Sequence, residues 1–298
     1  MERTKLISTR YISDNVAGWL GRITTLAALC VIPAIAQDFF FLQLSDPQFG
    51  MYTEDKDFAQ ETANFEFAIA TANRLKPAFV VVCGDLINRP GEPAQSAEYF
   101  RIARKLDPSI PIYNVAGNHD VRNEPTAESL AAYRKNFGRD YYTFRRGEFE
   151  GIVLDSSLIQ HPDKAPEEAA RQEQWAKEEL AKAVAARVRW VVVFQHIPWF
   201  LASEDEEDQY FNIPRQARSR WLEMLRASGV HYTFAGHYHR NAYAAAGDFN
   251  VITTGPLGKP IGPDPSGLRV VFVDGSAIRH EYYGLGNLPN QAALPSKP

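Results

Sequence analysis

An α/β fold of two stacked, mixed β-sheets flanked by helices is what this 298-residue sequence predicts, and three observations predict it. Short apolar, β-rich runs recur along the chain, helical patterns separate most of them, and after residue 240 strand patterns follow one another across short turns. The first run, FFFLQL (39–44), precedes a helical pattern over 58–76. AFVVVC (78–83), IPIYNVA (110–116) and GIVLDS (151–156) follow. A second helical pattern, rich in Ala, Glu, Gln and Lys, covers 166–188; such residues lose little side-chain freedom in a helix. RWVVVFQ (189–195) and VHYTFAG (230–236) complete the alternating part, and FNVITTG, GLRVVFVDG and SAIRHEYYG read as antiparallel strands. Strands alternating with helices call for sheets covered by helices. With no repeat and no linker composition, residues 37–285 read as one domain, and the Pro-rich residues 286–298 as a frayed tail.

The front of the chain reads differently. Arg3, Lys5, Arg10 and Arg22 precede the apolar segment ITTLAALCVIPAIA, which ends in an Ala-x-Ala pattern before Gln37. A basic region, a short apolar region and small residues at a cleavage point describe a signal peptide over 1–36 and an exported protein, periplasmic or secreted. The apolar run is shorter than the roughly 20 residues that span a bilayer, so membrane contact is expected only through this segment, if uncut. Cys30 lies inside it without a lipidation pattern, which leaves Cys83 alone and excludes an intramolecular disulfide. Residues 1–36 hold four of the 32 basic and two of the 36 acidic residues, so the remainder carries a net charge of −6. That balance excludes nucleic acid as a partner, because phosphate-backbone binding needs a basic face.

Five polar motifs stand at the carboxyl ends of the apolar runs, where open α/β sheets place their ligands. They are SDPQ with Asp46 and Gln48, CGDLIN with Asp85, AGNHD with Asn118, His119 and Asp120, FQHIP with His196, and AGHYHR with His237 and His239. Four of the seven histidines fall in them. His161, His231 and His280 have no motif around them. Carboxylate, amide oxygen and imidazole together suit divalent cations at a hydrolytic centre, and the absence of a thiolate cluster excludes a Cys-type zinc site. Two cations about 3.5–4 Å apart can clamp the entering and leaving oxygens of a phosphoryl group. Such a pair needs a bridging carboxylate from a central strand end, and Asp85 is the natural one.

The order of these motifs resembles the calcineurin-like metallophosphoesterase superfamily over nearly the whole chain after residue 36. Carried over by position, the resemblance implies one cation on Asp46, Gln48, Asp85 and His239 and a second on Asp85, Asn118, His196 and His237. His119 would face the leaving group, with Asp120 behind it. The superfamily has histidine where this chain has Gln48. DPQFG, CGDLIN, GNHD followed by PTAES, FQHIPWFL and GHYHRNA resemble the calcineurin-like phosphoesterase domain-containing protein 1 group, which also carries Gln there. A Gln carbonyl is a neutral, hard donor, so manganese or magnesium is favoured over iron or zinc; alternatively Gln48 holds a water. Asn88, Tyr238 and Arg240 either contact substrate or pack. The acidic run SEDEEDQ (203–209) reads as a solvated loop that could rim the cleft.

What the resemblance implies is a dinuclear metal-dependent phosphoesterase acting on phosphomonoesters, including phosphoserine or phosphothreonine of proteins. The alternatives are a phosphodiesterase for nucleotides or lipid head groups and a non-catalytic, metal-binding interaction protein. An intact His119 argues for catalysis, since a site without chemistry needs no proton donor.

Overall fold

In the computed structural model, residues 38–292 are described. The signal-segment reading and the last six residues lie outside them. The elements run β1 (Phe39–Leu44), α1 (Ala59–Leu75), β2 (Val80–Cys83), α2 (Pro93–Ala103), β3 (Ile112–Val115), α3 (Asn118–Val121), α4 (Ala127–Phe137), β4 (Tyr142–Arg146) and β5 (Phe149–Val153). They continue with α5 (Ser156–Gln160), α6 (Pro166–Ala185), β6 (Trp190–Phe194), α7 (Arg215–Ala227), β7 (Tyr232–Ala235), β8 (Ala242–Ala246), β9 (Phe249–Thr253), β10 (Gly267–Val273) and β11 (Ile278–Gly284).

Two sheets form, ordered β11-β10-β1-β2-β3 and β4-β5-β6-β7-β9-β8. The inner strands β2, β5, β6, β7 and β10 are buried almost throughout, which is why most of them read as continuous apolar runs. Alternate residues sort into separate layers. Phe41, Val81, Cys83, Val192, Phe194 and Phe234 meet between the sheets. Leu42, Leu44, Val80 and Val82 instead face residues of α1, α2 and α4, while Val191 and Val193 face α6 and α7. The central layer is aromatic, with Phe41 and Phe79 stacked at 4.6 Å and Phe194 and Phe234 at 5.7 Å.

Helix ends follow local chemistry. Pro166 opens α6 with Glu167 and Glu168 in the first turn and Lys182 in the last, as the helix dipole favours. Thr126 caps α4 by accepting from the Ser129 N–H at 3.2 Å. Parallel neighbours β1-β2-β3 and β5-β6-β7-β9 direct their carboxyl ends to the same side within each sheet.

Two expectations are corrected. FNVITTG, as β9, is antiparallel to β8 but parallel to β7, because the Ala-rich β8 supplies the return strand. The tail is held as far as Ala292: Arg74 donates to the carbonyls of Pro289 and Asn290 at 2.9 and 2.6 Å, and Leu288 and Ala292 pack on the core. None of the described helices is long and apolar enough to cross a membrane.

Candidate metal centre

The five motifs converge. Asp46, Asp85, His196 and His237 each stand two residues beyond the last residue of β1, β2, β6 and β7, and Asn118 opens α3 just after β3. The approach is close enough to dictate glycine. A Cβ on Gly117 would overlap the Asp85 backbone and carboxylate, and one on Gly236 would overlap Ser45 and Asp46. The turns are also strained: Asp46, Gln48, Asp85, His237 and His239 hold φ between 38° and 68°, a region non-glycine residues seldom occupy. The surrounding fold holds these turns through backbone bonds such as Asp46 N–H to Gly84 O at 3.1 Å and Gln48 N–H to Asp85 O at 2.8 Å.

Two groups of buried side chains gather ligand atoms within 4.8 Å of one another, Asp85 with His196 and His237, and Asp46 with Asp85 and His239. Asp85 belongs to both. His196 Nε2 lies 3.2 Å from Asp85 Oδ2 and 3.0 Å from Asn118 Oδ1. His237 Nδ1 is 3.2 Å from that same nitrogen, and His239 Nε2 is 3.4 Å from Asp46 Oδ1.

Each imidazole is aimed by a backbone carbonyl. Nδ1 of His196 donates to Cys83 O at 2.8 Å, Nδ1 of His239 to Lys259 O at 2.6 Å, and Nε2 of His237 to Tyr210 O at 3.0 Å. A carbonyl can only accept, so one nitrogen of each ring is fixed as the N–H donor and the other is turned toward the carboxylate pair. His119 follows the same rule: Nδ1 donates to Asn88 O at 2.7 Å, which leaves Nε2 free.

Gln48 provides the sharpest test of fit. Its Nε2 donates to Asn88 Oδ1 at 3.1 Å, which identifies the other amide atom as oxygen. That Oε1 is buried and has no partner among the described residues. Buried acceptors are normally satisfied, and a divalent cation beside Asp46 and Asp85 would satisfy this one. The donor set fits: two carboxylates, two amide oxygens and three imidazoles, with no thiolate.

Electrostatics follow from burial and proximity. Burial works against charge on Asp85 and Asp46, yet His196 beside the first and His239 beside the second hold both carboxyls below the usual range. For His196 burial again opposes charge, but Asp85 and Asp46 hold its imidazolium up to about 10. Burial and the neighbouring His196 push His237 down to about 4. Anionic carboxylates and a neutral His237 are the ionisation states that cation binding requires, whereas His196 has to release its proton to ligate.

Two residues act on backbone groups around the centre, and the first is Asp120. Its carboxylate accepts from the N–H groups of Gly117, Leu86 and Ile87 at 2.8, 3.2 and 3.2 Å, tying the Asp85 loop to the Asn118 loop. Burial, with Asp85 nearby, pushes its carboxyl up to about 8. Asn88 organises its neighbours: its Oδ1 accepts from Gln48, its Nδ2 donates to Asp55 at 2.9 Å, and its backbone carbonyl accepts from His119. Tyr238 and Arg240 pack: the Arg240 guanidinium lies 5.3 Å over the Tyr238 ring, which meets Phe211 edge-on at 5.2 Å.

Tyr210 escapes sequence reasoning. Beyond its carbonyl bond to His237, its hydroxyl accepts from Asn118 Nδ2 at 3.2 Å. It sits directly after the acidic run, whose backbone is not free. The guanidinium of buried Arg218 donates to the carbonyls of Ile213, Glu204 and Glu206 at 3.1, 2.8 and 3.0 Å. The charge run hides this role, since carbonyl acceptors leave no mark in a sequence.

Fold and site together define a phosphoesterase-type centre, and comparison with known proteins agrees. Residues 41–241 match the Calcineurin-like phosphoesterase family model, and the chain belongs to that family. It is 39% identical over 266 residues to human Serine/threonine-protein phosphatase CPPED1, covering 84% of this chain and 85% of the relative. The zebrafish (Danio rerio) protein of that name is 35% identical over 265 residues, covering 84% and 86%. Among solved structures, a dimetal phosphatase from Danio rerio aligns with a TM-score of 0.63 at 15% identity, covering 83% of this chain and 96% of that one. Purple acid phosphatase PPD1 from yellow lupin aligns at 0.64 and 14% identity, covering 84% and 52%. The protein is a phosphatase-type hydrolase.

Proposed function

We propose that the protein hydrolyses phosphomonoesters, phosphoserine and phosphothreonine of proteins among them, at a centre for two divalent cations, with manganese or magnesium favoured. The observation that carries this reading is the membership of Asp85 in both ligand groups, since one carboxylate shared by two sites is what a paired centre needs. Asp46, Gln48, Asp85 and His239 would hold one ion, and Asp85, Asn118, His196 and His237 the other. Bound there, the pair would supply positive charge for the phosphoryl oxygens and a more acidic water.

The chain's own groups do the rest. His119 is oriented by the Asn88 carbonyl, so Nε2 is the atom that can deliver a proton to the departing oxygen. Asn88 also fixes Gln48, and Asp55 and Gln95 fix Asn88, with the Gln95 side chain accepting its N–H at 3.0 Å. Asp120 keeps the Asp85 and Asn118 loops at a constant separation. The protein-phosphatase specificity rests on its similarity to relatives bearing that name.

The test is a hydrolysis panel on metal-stripped protein reloaded with manganese, magnesium, zinc or iron. Phosphoserine and phosphothreonine peptides, p-nitrophenyl phosphate and bis-p-nitrophenyl phosphate would be compared. Monoesters should turn over faster than the diester, and peptides should be hydrolysed. A faster diester, or no hydrolysis with any ion, would contradict the proposal.

A further inference from the structure

The Gln48 amide has two ends of nearly equal shape, and only its oxygen can bind a cation, because the NH2 end offers donors and no lone pair. Among the described residues one bond tells the two ends apart: Nε2 donates to Asn88 Oδ1 at 3.1 Å, while Oε1 has no partner. Asn88 is itself an amide and faces the same choice. Its Nδ2 donates to Asp55 Oδ1 at 2.9 Å, and the same carboxylate oxygen accepts from Gln95 Nε2 at 2.6 Å. The Gln95 amide is unambiguous, since its Oε1 accepts from the backbone N–H groups of Asn88 and Arg89 at 3.0 and 2.9 Å. Burial works against charge on Asp55, but the bonds from Asn88 and Gln95 and the nearby Arg89 hold its carboxyl below the usual range. The loop after Gln48 folds tightly over these groups. Gly50 has a φ of 112°, and a Cβ there would lie 2.6 Å from both Asp55 Oδ1 and Gln95 Nε2.

We infer that Asp55 is a positioning residue for the cation at Gln48, setting through Asn88 which end of the Gln48 amide is offered to the ion. The inference rests on the two-cation reading and adds a determinant that acts one residue removed from the ligand. The direction of each bond follows from the one before it. An ionised carboxylate only accepts, so Asn88 turns Nδ2 to Asp55 and Oδ1 to Gln48. Gln48 answers with Nε2, and Oε1 is the end that remains for an ion. Without the Asp55 acceptor, either orientation of Asn88 keeps a bond to Gln48. In the reversed one, Gln48 Nε2 is the atom left for the ion, and it cannot ligate. Partners that orient a ligand in this way commonly govern metal affinity by roughly 10–100-fold.

Calorimetric titration of the metal-stripped protein with manganese tests this. The binding step that Gln48→Ala weakens marks the ion at Gln48. Asp55→Ala should weaken that step by roughly 10–100-fold and leave the other unchanged. In a protein that already carries Gln48→Ala, adding Asp55→Ala should bring no further loss, because no amide remains to be oriented. A general effect of the loop, or of the lost charge, would add to the first loss instead. Asp55→Asn, which can turn an oxygen to both amides, should lose less than Asp55→Ala. If Asp55→Ala does not fold, Asp55→Ser takes its place, since a hydroxyl donates as well as accepts and no longer dictates the Asn88 amide. Unchanged binding in Gln48→Ala or Asp55→Ala, an additive loss in the double variant, or a loss in Asp55→Asn as large as in Asp55→Ala overturns the inference. Hydrolysis enters none of these criteria. A wild type that binds manganese in this pattern yet hydrolyses no ester therefore upholds the inference and overturns the phosphatase reading.

Discussion

Gln48 carries the most specific chemical claim at the scale of single residues. Its amide nitrogen is committed to Asn88 and its oxygen has no partner among the described residues, an arrangement costly in a buried site unless something satisfies the oxygen. Gln48→Ala should weaken or empty the site built with Asp46 and His239, while the site built with Asn118, His196 and His237 stays loaded. Gln48→His should shift loading toward zinc or iron, for which imidazole is the better donor. Competitive metal loading of the three proteins checks both, and identical loading would remove Gln48 from the ligands. His119→Ala should leave metal content unchanged and slow alkyl phosphates by roughly 10²–10⁴-fold, the usual worth of a general acid. The loss should shrink for p-nitrophenyl phosphate, whose leaving group departs without a proton. Equal losses would refute the acid role. The seven ligand candidates and His119 are legible in the sequence because their motifs end strands; the roles of Asp120 and Asn88 are not, because both act on backbone groups that any residue carries.

Elements position the site through loops rather than through strands alone. The segment from Ser203 to Ile213 looks like a solvated charge run, yet Arg218 of α7 gathers its carbonyls and Tyr210 brings it onto His237 and Asn118. Arg218→Leu would leave those carbonyls unsatisfied and should cost about 2–4 kcal/mol of stability. Thermal or denaturant unfolding measures that loss, and metal affinity at the His237 site should fall with it. Unchanged stability and affinity would mean that the loop holds its shape unaided. The long helices and most strands are legible from periodicity. Helix α2 is not, since it starts inside RPGEPAQS, where Pro and Gly read as a turn. Strand β8 is AYAAA, and alanine is a poor strand former that only its pairing with β9 holds in place.

For the whole molecule, the sandwich follows from inner strands buried on both faces and long helices between them, so its layering is readable before any coordinate. The parallel pairing of β7 with β9 is not, because register depends on the intervening return strand. Export rests on the residue pattern of 1–36 alone. We propose export on that basis: intact-mass analysis of protein recovered outside the cytoplasm should give a chain beginning at Gln37, and a mass that retains residues 1–36 would identify an uncut anchor instead. The central claim is that two cations share Asp85 and that ester hydrolysis depends on the pair. Elemental analysis of the purified protein and of Asp85→Asn, each assayed on p-nitrophenyl phosphate, tests it most directly. The account predicts about two ions per chain and turnover for the wild type, with one ion or none and no turnover for the variant; a variant that keeps two tightly held ions and hydrolyses the ester would contradict it.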